Sequence, residues 1–137
     1  MYNEKVNSLY GFRLYLCFIL LACFGAFVWQ LFIPNMAESY SSWGSNRGWQ
    51  SEIALWNIGI ISAIFYTFMK KSREIARVLT LQGLILFFVL GINHLLTLIK
   101  NYQPIFFIHW LGIFEVLIIE GIWGLIVFIR NKKNDYC

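Results

Sequence analysis

Histidine and glutamate side chains can accept, donate or relay a proton, and this chain sets several of them inside apolar runs. "LGINHLL" carries Asn93 and His94, "IFFIHWLGIFEVLIIEG" carries His109, Glu115 and Glu120, and "GWQSEIALWNIG" carries Glu52 and Asn57. An ionisable group among hydrocarbon is costly, so each is a functional candidate. Lining a shared pocket, Glu52, Asn57, Asn93, His94, His109 and Glu115 could bind a small molecule or a proton. His94 with Glu52 or Glu115 could instead form an acid–base pair acting on a lipid or a quinone. His94, His109 and Glu115 also offer donor atoms for zinc or iron. The E-x-x-H spacing of bundle-core metal sites is absent, however, so neither a metal nor a haem is expected. H-E-x-x-H, G-x-S-x-G and glycine-rich phosphate loops do not occur. Plainer roles compete: Glu52 with Ser51 as a helix cap, His94 as a packing residue, His109 beside Trp110 at a membrane interface, and Asn57 and Asn93 as interhelical hydrogen-bonding groups.

The elements that must position these residues follow from composition. The chain has 137 residues, 59% of them hydrophobic and 13% charged, against roughly 25% charged in soluble domains. Its mean hydropathy is +0.64. These values place it in the membrane class, with residues 1–137 as one integral domain. A helix crossing about 30 Å of hydrocarbon needs about 20 mostly apolar residues. Spans are therefore expected at about 12–33, 52–69, 75–99 and 105–129, with an outer loop at 34–51. Backbone polar groups must be paired inside lipid, so the spans are helical and the fold is an all-α four-helix transmembrane bundle.

Lys5, Arg13, Lys70, Lys71, Arg73, Arg77, Arg130, Lys132 and Lys133 fall on one side of these spans, and only Arg47 and Lys100 on the other. The positive-inside rule then puts both termini in the cytoplasm. A bacterial inner membrane is the expected location. Because the basic residues flank apolar runs, the net charge of +4 is not read as a nucleic-acid patch. Cys17 and Cys23 lie in an apolar run as small packing residues. Cys137 lacks the three residues that a prenylation box needs after its cysteine. "LLAC", Leu20 to Cys23, resembles a lipoprotein cleavage box, but the apolar run continues beyond Cys23 as a span would.

Helical wheels suggest which faces meet. Gly11, Tyr15, Phe18, Ala22, Gly25 and Trp29 share a side of the first span. Glu52, Trp56, Gly59, Ala63 and Tyr66 share one of the second, which points Glu52 into the bundle. Thr80, Gly83, Gly91, His94 and Thr97 form a small, polar seam on the third. On the fourth, Glu115 goes with Gly112, and His109 with Glu120 on another side. At 1.5 Å per residue, His94, His109 and Asn57 lie roughly 7 Å inside and Glu115 roughly 15 Å, with Glu120 deeper. One polar layer in the outer half is expected, with Glu52 as its rim and Glu115 as its floor.

The run "GWQSEIALWNIG" followed by "LGINHLL" resembles small bacterial four-helix membrane proteins of the DoxX-like group, with Glu52, Asn57 and His94 at the matching positions. Some DoxX-like proteins are similar to subunits of quinone-linked oxidoreductases, so the resemblance implies an accessory redox role. Three functions are thus expected to compete: a small transporter or accessory subunit with an outer-half pocket for a small molecule or proton, a membrane enzyme on a lipid or quinone, and a structural subunit whose polar residues only join helices. Expected partners are the bilayer, a small molecule or quinone, and further copies or a larger membrane complex.

Overall fold

A computed structural model describes residues 2–44 and 46–132; Met1, Ser45 and residues 133–137, including Lys133 and Cys137, lie outside the described residues. The described residues form helices joined by short turns, without strands. Helix α1 (Tyr2–Phe32) is followed by a short α2 (Pro34–Tyr40), then α3 (Arg47–Lys70) and α4 (Arg73–Lys100). The last span is composite: α5 (Phe107–Leu111), a π-helical segment (Gly112–Trp123) and α6 (Gly124–Lys132). Among the described residues, four helices are long and apolar enough to cross a membrane: Leu9–Phe32, Arg47–Lys70, Arg73–Lys100 and Phe107–Asn131. By length and composition this is an integral membrane helix bundle.

Polar residues set the boundaries. Asn46 caps α3 by accepting from the Trp49 N–H at 3.0 Å, so α3 begins at Arg47, a turn before the expected start. Ser51 is thereby inside the helix, its hydroxyl donating to the Arg47 carbonyl at 2.9 Å, and does not cap it. Lys71 ends α3 in the left-handed region at φ 51°. Ser72 caps α4 by accepting from the Ile75 N–H at 3.4 Å. Pro34 opens α2, where its missing N–H costs nothing.

Helix α1 packs chiefly against α3, and α4 against the π segment; α1 and α4 meet in the middle, and α6 touches both. The core joins Phe12, Tyr15, Leu16, Ile19 and Cys23 of α1 to Ile64 of α3, Ala76 and Phe87 of α4, and Val127 of α6. Tyr15 is buried as expected, but Gly25 is exposed. Many large apolar side chains face outward, among them Leu21, Phe24, Leu55, Val89 and Ile118, as lipid-facing residues do. On α4, the buried face Thr80, Gly83, Gly91 follows the expected seam.

Helix α3 departs from expectation. Its buried residues are Gln50, Ala54, Asn57, Ile64 and Thr67, whereas Glu52, Trp56, Gly59, Ala63 and Tyr66 are exposed. This orientation hides Gln50, Asn57 and Thr67 from lipid. Apart from Arg47 and Lys70 at its two ends, it leaves one charge outside, Glu52, about 8 Å from the helix start, where a side chain can reach the interface.

Candidate functional site

The best-connected polar group lies where the α2–α3 connection meets α4 and α5, at what is called here the Trp43 end. His94 stands on α4 about 9 Å from its Lys100 terminus. His109 is on α5 and is fully buried. Their Nδ1 atoms are 3.2 Å apart. Gly112 permits this approach, because a Cβ there would meet the His94 ring, with Cδ2 and Nδ1 both at 2.5 Å.

Ser42 fixes the other side of His109. Its backbone N–H donates to His109 Nε2 at 3.1 Å, and its hydroxyl oxygen lies 2.9 Å from the same nitrogen. A backbone N–H can only donate, so Nε2 accepts and the neutral ring carries its hydrogen on Nδ1. His109 Nδ1–H then donates to His94 Nδ1, which leaves the His94 hydrogen on Nε2. Hydrogen bonding thus assigns both tautomers.

Trp43 covers the two rings. Its centroid is 4.7 Å from that of His94 and 4.7 Å from that of His109. The indole N–H donates to Thr97 Oγ1 at 3.2 Å, and Thr97 in turn donates to the Asn93 carbonyl at 2.8 Å. Ser41 shapes the turn by accepting from the Trp43 N–H at 3.1 Å. Phe106 closes a further side, edge-on to His109 at 6.0 Å.

The fold brings together two of the six expected site residues. Glu52 is exposed on α3, and Asn93 is exposed on α4. Asn57 is buried on the face that α3 turns to α1, not beside the histidines. Glu115 is half-buried on the π segment. The expected layer drawn from three spans is therefore replaced by two spans and a loop. The three residues that carry the DoxX-like resemblance, Glu52, Asn57 and His94, fall on separate surfaces. Glu52, on an exposed face of α3, makes no hydrogen bond to His94 among the described residues.

Ser42, Trp43 and Thr97 complete the site. Thr97 shares the small, polar seam with His94 in the sequence; "SSW" in the loop has no periodicity that would aim it at a helix 50 or more residues away. As metal donors, the histidines supply two nitrogens, and a structural zinc site uses four ligands. Among the described residues no group of three or more His, Cys, Asp or Glu side chains is placed to hold a metal.

Deeper in the same span, the π winding changes which residues share a side. Such helices bond i→i+5, ordinarily as single turns near functional sites, and here the form runs for 12 residues. Glu115 and Glu120, five apart, stand nearly one above the other instead of on different sides. Gly121 abuts Phe88 Cα, where a Cβ would lie at 3.0 Å. The Tyr15 hydroxyl donates to the Glu120 carbonyl at 2.6 Å. Arg13 on α1 donates from Nη2 to the Phe68 carbonyl at 3.3 Å. Arg77 lies over the Phe128 ring at 5.7 Å.

No protein-family model matches this chain, and neither the curated proteins nor the solved structures contain a match to it.

Proposed function

We propose that this chain is a small polytopic membrane protein that passes protons through the Ser42–His109–His94 chain, as a transporter or as an accessory subunit of a larger membrane assembly. With both termini in the cytoplasm, as the distribution of basic residues favours, the Trp43 end faces outward and the histidines lie in the outer half of the bilayer.

The observation that carries this reading is the double engagement of His109 Nε2 by Ser42. The backbone N–H serves a ring nitrogen that accepts. The hydroxyl oxygen, 2.9 Å away, serves one that carries hydrogen. The resting tautomer is the one whose Nε2 accepts from the Ser42 N–H, and the hydroxyl beside it is the group placed to deliver a proton to that nitrogen; once Nε2 is protonated, the Ser42 N–H must give up this acceptor. When a proton enters at His109 Nε2, the hydrogen on its Nδ1 crosses to His94 Nδ1, and the hydrogen on His94 Nε2 can leave. One proton arrives and one departs; this leaves the hydrogen on His109 Nε2 and on His94 Nδ1, so both rings must turn before a second proton follows. A packing histidine needs only one of these contacts.

The test is proton uptake into proteoliposomes under a potassium diffusion potential, read by an entrapped pH-sensitive dye. Wild type should acidify the lumen faster than protein-free vesicles. His94→Ala and His109→Ala should reduce the rate to the protein-free level, and Glu52→Gln should leave it unchanged. A wild-type rate equal to that of empty vesicles, or equal rates in the histidine variants and wild type, would overturn the proposal.

A further inference from the structure

Glu120 is a second, separate candidate. It is 2% exposed, and its Oε1 is buried with no hydrogen-bond partner among the described residues. It lies beside Gly121, which abuts Phe88 of α4. That level is about 18 Å from the Lys100 end of α4 and about 22 Å from the Arg73 end, the middle of the bundle. The groups that face it electrostatically are Tyr15 and Cys23 from α1 and Glu115 on its own segment. All are acids, and none can neutralise a carboxylate. The α4 surface at this level, Leu84, Phe87 and Phe88, is apolar. Tyr15 donates to the Glu120 backbone carbonyl and so does not serve the buried carboxyl oxygen Oε1.

A charged carboxylate with an unpaired oxygen, out of water and among acids, is the arrangement that proteins avoid. A hydrogen on that carboxyl removes the charge. We propose that Glu120 is a proton-binding site at the centre of the bundle, its carboxyl holding one exchangeable proton. Half-buried Glu115, five residues toward the Trp43 end and on nearly the same side of the π helix, is the group through which that proton exchanges. The site shares no bond with the histidine pair and stands apart from the reading of that pair as a relay.

Infrared spectroscopy of the full chain in lipid tests this, with potassium as the only cation. Wild type should show a carbonyl stretch of a protonated carboxylic acid at neutral pH. That band should shift in D2O, lose intensity as the pH is raised, fall to baseline in Glu120→Gln and reappear displaced in Glu120→Asp. Glu115→Gln should retain the band but slow its shift in D2O. His109→Ala should retain it unaltered, so the relay can fail without touching this site. A band that survives in Glu120→Gln, or that neither exchanges nor titrates, would overturn the proposal. So would a carboxylate signal in its place that responds to sodium, which would mark a metal-cation site.

Discussion

Replacing Gly112 with alanine would place a methyl group inside the space of the His94 ring, 2.5 Å from Cδ2 and from Nδ1. Carbon contacts settle at about 3.5–4.0 Å, so the ring must retreat by roughly 1 Å. The Nδ1–Nδ1 separation of 3.2 Å would then exceed hydrogen-bonding distance. Overpacking costs about 1–3 kcal/mol and a lost buried hydrogen bond about 0.5–1.5 kcal/mol. Replacing a mid-helix glycine returns about 0.5–1 kcal/mol. The expected net loss is about 0.5–4 kcal/mol, a shift of roughly 2- to 700-fold in the unfolding equilibrium. Reversible unfolding in mixed micelles measures it. Gly59→Ala is the control, since a Cβ there meets nothing within 4 Å; it should be neutral or slightly stabilising. In a His94→Ala background the methyl group fills vacated space, so Gly112→Ala should cost almost nothing and the coupling should be about 0.5–4 kcal/mol. Equal costs in both backgrounds, or no cost in either, would refute the placement of His94 against Gly112.

Tyr15→Phe removes the hydroxyl that donates to the Glu120 carbonyl at 2.6 Å and should destabilise the bundle by about 0.5–1.5 kcal/mol in the same titration; unchanged stability would contradict that bond. Trp43→Ala uncovers both imidazoles, so carbethoxylation of His109, followed by mass spectrometry, should accelerate roughly tenfold or more as local opening becomes easier. Glu52→Gln should change stability by no more than about 0.5 kcal/mol, as exposed substitutions do; a larger loss would mean that Glu52 has a structural partner.

The spans were legible because apolar length and flanking charge report membrane crossing directly. The α4 seam was legible for a related reason: Thr80, Gly83, Gly91 and His94 are small or polar in an otherwise bulky helix, and close packing needs small residues. Helix α3 misled because it carries small or polar residues on two faces. The Gly59–Ala63 face looked like a packing seam, yet burying the other face shelters Gln50, Asn57 and Thr67. On the last span, a wheel of 3.6 residues per turn separates Glu115 from Glu120, and the π winding removes that separation. Ser42 and Trp43 were not legible as site residues, since a loop that folds back on a helix leaves no periodic trace. His94 and His109 were both singled out from the sequence, but their mutual contact depends on Gly112, whose role appears only in three dimensions.

The relay rests on one bond, that between the two imidazoles. Nitrogen-15 magnetic resonance of histidine-labelled protein in lipid bilayers tests it most directly. A scalar coupling between His94 Nδ1 and His109 Nδ1, with hydrogen on His109 Nδ1 and on His94 Nε2, is the predicted result. Two uncoupled rings, each averaging between tautomers as imidazoles in water do, would contradict it.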